Sequence, residues 1–270
     1  REYCFVRGNN MKTIIAFSGG LDSTYGLWKV LSQTTDDVTA VFINTENMDP
    51  SLRTHYDLRG WGVAKVAEVI PIISWLQQNI RSFTFVDQQF TTDYVVRGFG
   101  NINNFQTYVA RYALPQINSG SYDRLVIPSE KENDGFSNGG TIEVRRPGSI
   151  AAQEIFVSQA TRGSIEFPLI DSNYTQANAL LELPSELLSL TDICNVNDQS
   201  YKCQKRRWFQ EQLDQGNTPA QVWDNYYANC TPVAGKWFSM KYWLAGTPQS
   251  ESTLWDIPQW PTSYEVPSSG

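Results

Sequence analysis

Apolar positions fall along this chain in short β-branched runs separated by longer amphipathic stretches. The first run, Thr13-Ile14-Ile15-Ala16-Phe17, stops at Ser18-Gly19-Gly20, and the pattern restarts as Thr24-Tyr25-Gly26-Leu27-Trp28-Lys29-Val30-Leu31. A short continuous run bounded by glycines predicts a strand, a tight loop and then a helix. After the polar turn Gln33–Asp37, the run Val38–Asn44 supplies a second strand. Strand, helix and strand at this spacing predict a βαβ unit with parallel strands and a right-handed crossover. Uninterrupted apolar strands fit a sheet covered on both faces.

The same reading carries on along the chain. A helix is expected over Thr54–Ile80, broken near Gly60 or Pro71, then a third strand at Ser82–Val86. A helix over Asn104–Ile117 precedes a fourth strand, Asp123–Pro128, which opens into the polar loop Ser129–Gly135. The Gly- and Asn-rich segment Phe136–Gly148 reads as a mobile loop carrying Arg145 and Arg146. A helix at Ser149–Thr161, a fifth strand at Ser164–Ile170 and a helix at Thr175–Leu183, capped by Asn173 or Thr175, complete the pattern. The expected fold class is α/β: three layers around a central parallel five-stranded sheet.

From Gly216 the character changes. Trp223, Tyr226, Tyr227, Trp237, Phe238, Tyr242, Trp243, Trp255 and Trp260 are interleaved with polar residues, and the stretch after Gly246 is Pro-rich without a basic residue. The expected organisation is a domain over 11–215, an aromatic C-terminal extension over 216–270, and residues 1–10 before Met11 as an arm or a non-native leader.

Composition narrows the function classes. The chain has 270 residues, 41% of them hydrophobic, enough for a sizeable core. No run has the apolar length of a membrane span, and no signal-type apolar region precedes the first strand, so a cytoplasmic protein is expected. Twenty-one basic against 28 acidic side chains give a net charge of −7, which disfavours non-specific nucleic-acid binding. The one dense basic stretch is Lys202–Arg207. Four scattered cysteines, Cys4, Cys194, Cys203 and Cys230, do not make a disulfide scaffold. A single histidine, His55, argues against a Ser-His-Asp triad and a multi-histidine metal site.

The chemistry concentrates at the first loop. Glycines let backbone N–H groups approach a ligand where a Cβ would block it. Hydroxyls of Ser18, Ser23 and Thr24 add donors, and the following helix turns its positive end toward the loop. Ser18, Gly19, Gly20, Leu21, Asp22, Ser23 and Thr24 are thus candidate phosphate ligands. Asp22 either orders the loop, partners the helix N-terminus or faces Mg²⁺, whose oxygen chemistry suits a carboxylate. Neither the Walker pattern nor the Gly-x-Gly-x-x-Gly fingerprint is present.

The segment Ser18-Gly19-Gly20-Leu21-Asp22-Ser23 resembles the Ser-Gly-Gly-x-Asp-Ser signature of the PP-loop ATP pyrophosphatases. From Met11 to Gly216 the chain also resembles the 7-cyano-7-deazaguanine synthases of that superfamily. The matching segments are Tyr108-Val109-Ala110-Arg111, Leu125-Val126-Ile127 with Asn133-Asp134, Phe167-Pro168-Leu169-Ile170-Asp171 with Thr175, Leu190-Thr191-Asp192-Ile193-Cys194, and Cys203-Gln204-Lys205-Arg206-Arg207. Several positions depart from the family: Gln176 stands where it has lysine, Pro128 where it has glycine, and no cysteine lies between Cys194 and Cys203. A family-type zinc site is therefore doubtful, and small buried cysteines are the simpler reading.

The resemblance implies an adenine-nucleotide alpha-hydrolase-like fold and an ATP- and Mg²⁺-dependent ligase. The loop would grip the β,γ-pyrophosphate, and adenine would rest at Phe42, Ile43 and Asn44. Independently of the resemblance, Arg111 and Lys131 are candidates to neutralise developing charge, and Arg145 and Arg146 are candidates for a lid over the phosphates. The activated acceptor would be a deazapurine or related carboxylate or carbonyl, attacked by ammonia or another nitrogen nucleophile. Two alternatives stand beside this: a PP-loop ligase for a different acceptor, and a non-catalytic ATP-binding module in a larger assembly. A tRNA-thiolating enzyme fits less well with the acidic balance and the lack of a Cys-x-x-Cys pair. A homodimer is the common expectation for a soluble enzyme.

Overall fold

A computed structural model of the protein describes residues 10–44, 66–89, 105–129, 147–172, 174–191 and 201–229. Five strands are described: β1 (Lys12–Ala16), β2 (Asp37–Asn44), β3 (Thr84–Gln89), β4 (Arg124–Val126) and β5 (Ser164–Glu166). The helices are α1 (Leu21–Gln33), α2 (Val66–Asn79), α3 (Phe105–Asn118), α4 (Pro147–Gln159), α5 (Pro168–Asp171), α6 (Gln176–Glu182), α7 (Ser185–Leu190), α8 (Tyr201–Asp214) and α9 (Pro219–Asn229). All strand pairs are parallel and the order is β3-β2-β1-β4-β5. The expected α/β fold with a five-stranded parallel sheet is the one observed.

Alternation along the strands builds the layers, since neighbouring side chains leave a strand on opposite faces. Ile15, Phe17, Ala40, Phe42 and Val126 join one core with α1, α2, α6, α7, α8 and α9. Ile14, Ala16, Val41, Ile43, Leu125 and Ile127 join another with α3 and α4. Both faces are thus covered, which is why the strand sequences lack polar alternation.

Strand order fixes where a ligand site belongs. The chain leaves β1 through α1 to β2 on one side, and β4 lies on the other side of β1. The order reverses between β1 and β4, and crevices form beyond the carboxyl ends of strands at such a reversal. The loop Ser18–Gly20 leaves β1 at that point, next to Pro128 and Ser129 beyond β4.

Several expected boundaries shift for identifiable reasons. The expected break at Pro71 is absent, because α2 runs through it. Pro71 and Ala67 are both exposed, so the Ala67 carbonyl, which loses its helical donor, reaches water. The third strand begins two residues later than expected and extends through Asp87, Gln88 and Gln89, pairing with Phe42, Ile43 and Asn44. β3 ends the sheet, where polar side chains are tolerated beside a main-chain ladder. The fifth strand is shorter than expected, since Pro168 opens α5. Proline is suited to a first helical position, where its missing N–H has no helical partner anyway. Beyond Gly216, whose φ of 86° ends α8, α9 places the fully buried Val222 in the same core as Phe209 and Leu187.

At the amino ends of the strands lies a buried ionic network. The guanidinium of Arg124 in β4 pairs with Asp36 and Glu166 and donates from Nε to Thr13 Oγ1 at 3.0 Å. Thr13 in turn donates its hydroxyl to Asp36 at 2.7 Å. This network ties β1, β4, β5 and the start of β2 together at the end of the sheet opposite the loop.

Candidate functional site

The loop geometry follows from two glycines with different reasons for being there. Gly19 has φ 76°, in the left-handed region that favours glycine. Gly20, the N-cap of α1, has φ −73° and ψ 169°, open to any residue. Among the described residues, a Cβ added at Gly20 meets only Ser18 Oγ, at 3.6 Å. Neither backbone strain nor packing among the described residues requires glycine there, and the N-cap position ordinarily favours Ser, Thr, Asp or Asn.

Ser23 is the brace of the loop. Its Oγ accepts the Ser18 N–H at 3.1 Å and donates to the Gly20 carbonyl at 3.1 Å. A serine hydroxyl has one proton, so the 3.0 Å contact between the two hydroxyls is a donation from Ser18 to Ser23. Leu21 and Thr24 turn their side chains into the protein, and the Thr24 hydroxyl is fully buried with no hydrogen-bond partner among the described residues. The Thr24 N–H donates to the Gly20 carbonyl at 3.0 Å. As donors to an anion, the amides of the first helical turn matter most, because they have no intrahelical carbonyl. They also sit at the positive end of the α1 dipole.

Asp22 lies in that first turn and is half-buried. The Gln176 side-chain amide, on the first residue of α6, donates to its Oδ1 at 2.9 Å. Gln176 is set in place by the helix cap: Thr175 donates both its N–H, at 2.9 Å, and its hydroxyl, at 3.2 Å, to Asn178 Oδ1. The expected cap at Thr175 is the observed one. Lower on the same seam, buried Lys29 of α1 pairs with Glu182 of α6. The Lys29 ammonium also stands 5.3, 5.7 and 4.8 Å from the ring centroids of Tyr25, Trp28 and Tyr174.

The other expected site residues are placed as follows. Phe42 and Ile43 are core residues on opposite faces of the sheet, so at the rim they offer backbone alone. Asn44, buried at the end of β2, donates to Asp87 Oδ2 at 3.2 Å, and Gln89 donates to the same oxygen at 3.3 Å. Arg111 lies in the middle of α3, across the sheet from α1. Burial raises the phenol of its neighbour Tyr108 above the ordinary value, while Arg111 pulls it the other way. Lys131, Arg145, Arg146, His55, Cys4, Cys194 and Cys230 lie outside the described residues, as does the side chain of Cys203. Among the described residues, no group of three or more His, Cys, Asp or Glu side chains is placed to hold a metal ion. No helix among them is long and apolar enough to cross a membrane.

Sequence reading alone did not identify Gln176 as a partner of the loop, because 154 residues separate it from Asp22. The available signal was its departure from the lysine of the resembling family. Lys29 left no signal beyond a charge in an apolar helix.

The fold and loop together define a three-layer α/β protein with a glycine loop at the switch point of its sheet. No protein-family model matches the sequence, and no curated protein matches it. Among solved structures, the chain is similar to the U34-tRNA thiolase NcsA from Methanococcus maripaludis with its [4Fe-4S] cluster. The identity is 14%, the TM-score is 0.38, and the match covers 80% of this chain and 81% of that one.

Proposed function

We propose that the protein binds ATP with the polyphosphate on the loop Ser18–Thr24 and uses it to activate an oxygen of a carboxylate or carbonyl acceptor. The observation that carries this reading is Gly20: a glycine at the switch point of the sheet that neither its own φ nor any described neighbour requires. An anion-binding turn with free space above its amides suits a phosphate group. The Ser-Gly-Gly-x-Asp-Ser resemblance narrows the anion to ATP pyrophosphate.

In this reading the β- and γ-phosphates sit on the amides following Gly19, and the loop holds its shape through Ser23. An acceptor oxygen attacks the α-phosphorus, forming the P–O bond of an adenylate as the bond to pyrophosphate breaks. Ammonia or another nitrogen nucleophile then attacks the activated carbon, and AMP leaves with the acceptor oxygen. Asp22 is the loop residue suited to a magnesium ion, which would offset phosphate charge. Arg111 and Lys131 remain the proposed partners of developing charge, and Phe42, Ile43 and Asn44 the proposed adenine rim. The proposed acceptor is 7-carboxy-7-deazaguanine or a related nucleobase carboxylate.

The test is pyrophosphate release and product mass with ATP, 7-carboxy-7-deazaguanine and ammonium, run beside Gly20→Ala and Asp22→Ala. A nitrile or amide product that is lost in both variants supports the reading. ATP binding without product rejects this acceptor, and absence of ATP binding rejects the loop assignment. Phosphate in place of pyrophosphate would make the intermediate an acyl phosphate.

A further inference from the structure

We propose that Asp87 selects the base of the nucleotide, its outer carboxylate oxygen accepting the exocyclic amino group of adenine. This rests on the nucleotide reading of the loop. At the β2 rim, Phe42 and Ile43 bring no polar side-chain group and are buried in the two cores. Asn44 is buried too, with its amide turned to Asp87. Asp87, beside Phe42 in the ladder, is exposed.

Strand pairing puts Asp87 on the side of the loop. Alternation places Phe85, Asp87 and Gln89 on one face of β3. Phe85 packs on the core that includes α1 and meets the Phe17 ring edge-on, with centroids 6.4 Å apart. Ala16 lies beside Val41 and Asp87 beside Phe42, so Asp87 is level with Phe17, the residue before Ser18. Two strand spacings, about 10 Å, separate β3 from β1. The ribose of a triphosphate held at Ser18–Thr24 stays next to the α-phosphate, whereas the base reaches out toward β3.

The hydrogen bonds of Asp87 then set which base fits. Asn44 Nδ2 and Gln89 Nε2 both donate to its Oδ2, at 3.2 and 3.3 Å. A carboxylate oxygen has about two lone pairs, so the two amides fill Oδ2 and orient the group. Among the described residues, nothing donates to Oδ1 and no cation pairs with Asp87. An ionised carboxylate only accepts. Where adenine carries an amino group guanine carries a carbonyl oxygen, so Oδ1 attracts the first and repels the second. The other edge of guanine offers two donors side by side, which match a carboxylate with both oxygens open, and here one is taken.

Asp87→Asn reverses the outward group. The two amide donors hold the new side-chain oxygen inward, and its NH₂ then faces the base. The experiment is calorimetric titration of the intact chain, in magnesium chloride, with α,β-methylene-ATP and with α,β-methylene-GTP, for the wild type, Asp87→Asn and Asp87→Ala. Thermal melting without ligand confirms folding. The ratio of the two affinities is the readout, because a purely structural contribution of Asp87 would lower both together. The wild type is expected to favour the adenine analogue. Asp87→Ala is expected to lower that preference about tenfold, and Asp87→Asn to lower it further. An unchanged ratio in both folded variants, or a wild type that does not favour the adenine analogue, overturns the proposal alone. No binding of either analogue by the folded wild type overturns the nucleotide reading and this proposal with it.

Discussion

Gly26 of α1 and Pro128, two residues beyond β4, occupy one space: a Cβ on Gly26 would fall 2.1 Å from Pro128 Cβ. The helix that carries the glycine loop at its start therefore lies against the turn after β4, and closes the switch point from the side. Pro128 departs from the glycine of the resembling family, and Gly26 is what accommodates it.

We expect Gly26→Ala to destabilise the fold by about 1–3 kcal/mol through overpacking, although alanine is the better helix former by about 1 kcal/mol. Pro128→Gly removes the opposing Cβ, so the double variant should recover most of that loss. Urea denaturation of all four proteins measures the coupling. Additive losses would show that the two positions do not compete for space.

The two loop glycines should separate stability from binding. Gly19→Ala forces a side chain into the left-handed region and should cost about 1–2 kcal/mol. Gly20→Ala should change stability by less than about 1 kcal/mol, since its φ is ordinary and, among the described residues, the added Cβ meets only Ser18 Oγ. Denaturation midpoints of the two variants provide the comparison. Equal losses at both positions would mean that Gly20 serves the fold after all.

Ser23→Ala should cost about 1–3 kcal/mol, because it leaves the Ser18 N–H without its acceptor and removes the donor to the Gly20 carbonyl. Ser18→Ala deletes a single hydroxyl contact and should cost less. Hydrogen exchange would localise the effect. Amides at residues 18–24 should exchange faster in Ser23→Ala, while those of β1 should not.

At the opposite end of the sheet, Arg124→Ala strands the buried Asp36 carboxylate and should cost about 3–5 kcal/mol. Glu166, whose side chain is 36% exposed, is the lesser partner of Arg124, and Glu166→Gln should cost at most about 1 kcal/mol. Urea denaturation again measures both. Similar losses would mean that the two carboxylates share the guanidinium evenly, contrary to their burial.

Much of the architecture was legible in the sequence, because parallel strands covered on both faces appear as plain apolar runs. The runs at 13–17 and 38–44 matched β1 and β2 closely, and the glycine pair marked the turn into α1. Edges were harder to read. β3 extends through Asp87, Gln88 and Gln89 because main-chain pairing, rather than side-chain burial, sustains an edge strand. α5 begins at Pro168 where an apolar run suggested continued strand.

The sequence by itself determined that this is a parallel α/β protein with a glycine loop between its first strand and first helix. Local chemistry suffices for that, since a residue's intrinsic conformational freedom and the alternation of apolar positions act within a few residues. Only the tertiary structure decided that the loop lies where the strand order reverses and that Ser23 braces it. It also decided that Gly20 meets no packing demand from the described residues, that Gly26 makes room for Pro128, and that Gln176 donates to Asp22. These are contacts between elements far apart in the chain, set by how helices pack across a sheet, and no spacing along a single sequence encodes them.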